Sequence, residues 1–201
     1  MSDIGATAAS PAAVPSAKGS TVRGTYAFVR DRIGGVGLDG VRSGLDARVR
    51  RVLDRVAATD EIPYRTVVTL WEAIDLALNA DHPEWAEEAG AFAIDSVGVQ
   101  LYGGILRKAS PSDFLTQSIS LFRLYYHPGD ITVVEEAAGR AILRLIDFDP
   151  ITRLFCRRQT GGLRRAVELA GGESARVRHV RCSIEGDAFC EWQLEWHVPR
   201  G

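Results

Sequence analysis

With 201 residues, 46% of them hydrophobic and 25% charged, and a formal net charge of -2, the chain has the composition of one ordinary globular domain that buries its own core. The near-neutral balance argues against a general nucleic-acid binder, and no run reaches the roughly 18 to 20 apolar residues that a membrane span needs, because Glu72, Asp75, Asp95 and Arg123 interrupt the most apolar stretches. The first residues lack the charged start and continuous apolar stretch of a secretory signal, so a cytoplasmic location is expected, and the three cysteines read as metal ligands, reactive thiols or core residues rather than as disulfides.

Residues 1–20, rich in Ala, Ser and Pro, are expected to form a flexible tail. Residues 21–201 then make a single α+β domain, mainly helical over 21–127 and sheet plus helix over 128–201. Val22, Tyr26, Val29 and Ile33 recur at helical spacing, and a second helical pattern runs through Leu45, Val49, Val52, Leu53 and Val56 after a glycine-rich break at Gly34–Gly37. Pro63 suits the first turn of a third helix with Val67, Leu70, Trp71, Ile74 and Leu78 as its apolar stripe. Pro83 starts a fourth, running past Ala86, Ala89 and Val97 to Leu101 and closed by Gly103–Gly104. Ser110–Pro111 caps and opens a fifth through Phe114, Leu115, Ile119, Phe122 and Tyr126.

The character changes after the turn cluster His127–Asp130. Ile131–Glu135 and Arg140–Phe148 predict a strand pair, Asp149-Pro150 opens another helix that Gly161–Gly162 threatens to interrupt, and a terminal hairpin is expected at about 174–184 and 188–198 around Gly186-Asp187. In its second strand Cys190, Trp192, Leu194 and Trp196 alternate with Glu191, Gln193, Glu195 and His197, one face core and the other wet. Helices, hairpin, helix, hairpin in that order predict an antiparallel sheet packed against helices.

All three cysteines fall in this last third with His179, as C-x22-H-x2-C-x7-C. Three thiolates and an imidazole are a common closed zinc set. A turn on Glu185-Gly186-Asp187 sets Cys182 and Cys190 opposite each other, with Cβ atoms about 4.5–5.5 Å apart. His179 lies three residues from Cys182, so strict alternation points it to the other face; Val177 and Val180 also break parity, which predicts a bulge near Arg178–His179 that turns the imidazole toward the cysteines. Cys156 then joins from the preceding helix. The alternative is three buried small hydrophobes and a surface histidine.

The segment R-H-V-R-C-S-I-E-G-D-A-F-C-E-W, residues 178–192, resembles the closing hairpin of the 4-vinyl reductase (4VR) small-molecule-binding domain superfamily, and Cys156 stands where that family carries its first cysteine. In its aromatic-responsive transcription activators three cysteines and one acidic residue hold zinc, and His179 occupies the position of the acid. From about Lys18 onward, with Pro63, Leu124-Tyr125-Tyr126 and Cys190 through Trp196 as markers, the chain also resembles a myxobacterial family of 4VR-like proteins whose activity is not established. The wider superfamily includes haem-based nitric-oxide sensors and vesicle-tethering subunits. The resemblance therefore implies the NO-signalling/Golgi-transport ligand-binding fold, a structural zinc at Cys156, His179, Cys182 and Cys190, and a homodimeric scaffold for a ligand or partner.

Other features carry less. Gly35 through Gly40 satisfies G-x-G-x-x-G, but a helix precedes it where a dinucleotide site needs a strand, so the glycines read as a connection between helices. Trp71, Trp85, Phe92, Tyr102, Phe122 and Tyr126 either line an apolar pocket or fill core. His127 and His82 are candidate haem ligands or surface residues. The arginines between Arg153 and Arg181 read as a solvated face, and Glu87-Glu88 and Glu135-Glu136 diverge rather than pair as acid and base. Three functions remain open: a non-enzymatic regulatory or sensor domain that binds a small apolar or aromatic ligand and signals through protein contact, having no output domain of its own; a ligand-free adaptor or tethering-like dimer; and a zinc enzyme, which needs an open coordination position.

Overall fold

A computed structural model describes residues 14–98 and 110–198, without the side chains of 97–98 and 116–121. The chain enters through a short strand, β1 (Ser16–Lys18), that lies between β2 (Glu61–Pro63) and β3 (Tyr126–His127), antiparallel to both. Ala17 at its centre is buried. The flexible tail expected through Ser20 is thus corrected from residue 16 onward; residues 1–13 lie outside the described residues. A three-residue strand burying a single alanine has no alternation to read, and its hydrogen bonds go to segments far along the chain, with Tyr64 N donating to Pro15 O at 2.8 Å and Gly19 N to Asp60 O at 2.8 Å.

Helix α1 (Gly19–Ser43) follows directly. The two helices expected on either side of Gly34–Gly37 are partly merged: α1 bends at Gly34, whose φ of 72° and ψ of 179° are open to glycine and strained for other residues, and then continues to Ser43. The G-x-G-x-x-G run therefore lies inside a helix. Helix α2 (Ala47–Arg55) starts at Asp46, whose carboxylate accepts from Arg48 N at 2.8 Å. Pro63 precedes α3 (Tyr64–Leu78), which buries Val67, Leu70, Trp71, Ile74 and Leu78, the stripe read from its spacing. Helix α4 (Trp85–Ala93) leads into a π-helical turn at Ile94–Gly98; the expected terminator Gly103–Gly104 is outside the described residues.

Helix α5 (Pro111–Tyr125) begins where Ser110-Pro111 places it, with Asp113 N donating to Ser110 Oγ at 3.2 Å. Ser110→Ala removes that cap and is expected to lower stability by about 1 kcal/mol, read as a shifted urea midpoint at unchanged slope.

Strands β4 (Asp130–Ala137) and β5 (Arg140–Ile146) form the predicted pair. Helix α6 (Arg153–Leu169) starts later than Asp149-Pro150, at the Thr152 cap, and runs unbroken through Gly161–Gly162. Gly161 serves packing together with Gly90 of α4: a Cβ on Gly161 would stand 1.9 Å from Glu87 O, and one on Gly90 1.9 Å from Arg158 O, whereas one on Gly162 would meet ordinary contacts of 3.5 Å or more. The backbones of α4 and α6 meet where any side chain would hold them apart. Last come β6 (Glu173–Arg181) and β7 (Glu191–His197), giving a wholly antiparallel four-stranded sheet in the order β4-β5-β7-β6. Leu143, Leu145, Trp192, Leu194 and Trp196 share its buried face with Phe155, Leu163 and Val167 of α6 in one core. No helix among the described residues is long and apolar enough to cross a membrane.

Candidate metal centre

The β6–β7 hairpin carries three of the four predicted ligands, and its register shows how. Arg181 pairs with Glu191, so continuing the ladder sets Cys182 opposite Cys190, but His179 pairs with Trp192. One residue, Val180, is therefore extra on β6. The bulge expected near Arg178–His179 lies one position later and has the predicted consequence, bringing His179 and Cys182 to the same side although they are three residues apart.

The connection closes compactly. A 3-10 turn, Ser183–Glu185, leads to Gly186 in the left-handed region at φ 100°. Asp187 then folds back, its carboxylate accepting from Cys182 N at 2.7 Å and its N–H donating to Cys182 O at 3.1 Å. On the other side, Cys156 projects from the first turn of α6, and its Sγ lies 3.7 Å from Cys190 Sγ.

The ligand atoms of Cys156, His179, Cys182 and Cys190 all lie within 4.8 Å of one another. All three thiols are buried and unbonded to each other, since a disulfide needs about 2.05 Å between sulfurs. Two thiolates each about 2.3 Å from a tetrahedral zinc are about 3.8 Å apart, which the Cys156–Cys190 distance matches. His179 Nε2 is buried without a hydrogen-bond partner, an orphan that ligation would satisfy. The donors present thus fit a metal ion that takes thiolate and imidazole ligands.

The sulfurs are electrostatically unequal. The contact with Cys156, aided by the Ser183 hydroxyl and N–H, outweighs burial at Cys190 and pulls its thiol well below the ordinary range. The same contact, together with burial, pushes Cys156 up.

A supporting layer holds the four candidate ligands. The His179 ring stacks on Trp192 at 4.8 Å and 25°; Trp192 Nε1 donates to Thr160 Oγ1 at 3.0 Å, and that hydroxyl donates to Cys156 O at 3.0 Å. Arg153 and Glu185 add an ion pair between α6 and the hairpin turn at 2.5 Å. His179→Ala is expected to weaken metal affinity by at least about 10- to 100-fold, the usual cost of losing even an outer partner of a ligand, measured by competition with a chromophoric chelator; unchanged affinity would remove the imidazole from the ligand set.

Two residues depart from the sequence reading. Glu191, assigned to the wet face of β7, is buried and pairs with Arg144 at 2.7 Å and Arg181 at 3.7 Å. Arg158, assigned to a solvated face, is buried as well. Its spacing from Phe155, Gly162 and Ala166 places it on the apolar stripe of α6, a signal present in the sequence.

No protein-family model matches the chain, and no curated protein does. Solved structures do. An iron(II), unliganded H-NOX protein from K. algicida superposes with a TM-score of 0.71 over 90% of this chain and 97% of its own at 13% identity. An S. oneidensis H-NOX protein in the Fe(II)NO ligation state gives 0.70 over 90% and 99% at 15% identity. The F78L Tt H-NOX gives 0.65 over 92% and 97% at 13% identity, and heme distortion is studied in this group.

The residues of this chain do not fit a haem held by the usual histidine, cysteine or methionine. Of its four histidines, His82, His127 and His197 are exposed and His179 belongs to the cysteine cluster, which also takes every cysteine; the single methionine is Met1. At these identities the likeness concerns architecture, and the chain has the fold of the H-NOX proteins, the NO-signalling ligand-binding fold.

Proposed function

We propose that this chain is a non-enzymatic sensor domain in which zinc, bound by Cys156, His179, Cys182 and Cys190, is structural, while the helical half receives a small apolar or aromatic molecule and reports it through protein contact as a homodimer. The observation that carries the reading is the closed donor set of three sulfurs and one ring nitrogen at the junction of α6 and the terminal hairpin. Four protein ligands leave zinc no position for water or substrate, which speaks for a clamp and against a zinc enzyme. The H-NOX fold supports the sensing half, because its solved members include one with nitric oxide on iron.

One observation favours a second reading, a ligand-free interaction module. Tyr64, Phe122, Tyr126, Phe148 and Phe155 pack against one another with ring centroids 4.9 to 6.4 Å apart, so the junction of α3 and α5 with α6 is filled by its own side chains at that cluster. A thermal-shift screen against small aromatics and fatty acids, with light scattering after size exclusion, separates the two. The sensor predicts a dimer whose Tm rises with at least one compound class. A dimer indifferent to every compound would favour the interaction module.

A further inference from the structure

Helix α6 carries a row of arginines, and nearly all are neutralised. Arg153 pairs with Glu185, Arg157 with Glu84, Arg164 with Glu87, and Arg165 with Asp95 and Glu168. Arg158 differs in both burial and company. It is the one buried arginine among the described residues, 7% exposed, and no carboxylate there pairs with it. Its guanidinium lies over the Trp71 ring at 4.8 Å and faces the phenols of Tyr64 and Tyr126. Nη1 makes no hydrogen bond. Burial depresses its proton affinity, but a guanidinium stays charged in proteins, so among the described residues Arg158 is a buried cation without a counter-ion.

We propose that Arg158 receives the carboxylate of a small ligand whose body is apolar or aromatic. The assignment rests on the sensor reading above and names its ligand class. A guanidinium offers a planar fork that matches a carboxylate with two parallel hydrogen bonds. One positive charge balances one negative charge, which selects a monocarboxylate over a doubly charged phosphate. The Trp71 ring under it and the Tyr64 and Tyr126 rings beside it present no second charge, which suits a ligand whose remainder is hydrocarbon or ring. The Trp71 stack holds the guanidinium in place while the site is empty of ligand.

The test titrates zinc-loaded full-length protein with octanoate and octanol, and with benzoate and benzyl alcohol, by calorimetry. The expected result is at least one carboxylate binding about tenfold or more tightly than its alcohol, the usual scale of a charged hydrogen bond. Arg158→Met should lose that preference while keeping its zinc and its affinity for the alcohol. Arg158→Lys, which keeps the charge without the fork, should retain part of the preference and decides the matter if the methionine variant does not fold. Equal binding of acid and alcohol, or a preference that survives the substitutions, overturns the role of Arg158 and leaves the sensor reading standing. Binding of none of the four probes overturns both.

Discussion

Cys182→Ser protein is expected to purify without its zinc and to melt about 10 °C below wild type, with chelator lowering wild type to the same level and leaving the variant unmoved. The size follows from linkage. An ion that binds the folded state alone at a thousandfold over its dissociation constant contributes about 4 kcal/mol, and about 2–4 °C accompanies each kcal/mol in a domain of this length. Serine keeps the shape of Cys182 but offers zinc a poor donor. The loss should fall on the junction it holds, because Cys182 and Cys190 belong to the hairpin and Cys156 to α6. The remainder of the core, from Trp71 and Trp85 to Leu143, does not depend on the ion. The variant should therefore stay folded at low temperature, unlike a zinc finger deprived of metal. Calorimetry beside metal analysis reads both effects; equal melting of chelated and untreated wild type would contradict the clamp.

Gly90→Ala is expected to destabilise by more than about 3 kcal/mol, although alanine is the better helix former by nearly 1 kcal/mol. Its Cβ would stand 1.9 Å from Arg158 O and 3.0 Å from Gly162 N, both backbone atoms of α6. Neither can give way without moving the helix. Separation of α4 from α6 would also displace Cys156, so weaker zinc retention should accompany the lower stability. Gly40→Ala is the control: nothing lies within 4 Å of its added methyl, and it should hold or raise stability by up to about 1 kcal/mol. Chemical denaturation of the two variants side by side measures the difference; equal midpoints would mean that the helices tolerate separation.

Much of this architecture was legible in the residues because the signals were local. Ser110-Pro111 announced its helix through capping chemistry, and the alternation of Cys190 through His197 announced β7. The parity break between Val177 and Val180 revealed the bulge, though one residue early, since a bulge fixes the count of residues and leaves its seat to cross-strand packing. The first strand was invisible, its partners being 43 or more residues away. Gly161 looked like a break because sequence cannot show that the backbone of α4 at Glu87 occupies the space of its missing side chain. Arg158 was hidden among its own kind, one arginine in a helix rich in them, and only its place on the buried stripe sets it apart.

X-ray absorption at the zinc edge tests the central claim most directly, because it counts donors and measures their bond lengths. The account predicts one zinc per chain with three sulfurs at about 2.3 Å and one nitrogen at about 2.0 Å. A protein that carries no metal when purified and takes none up from zinc buffer, or a first shell of water and carboxylate oxygens, would contradict it.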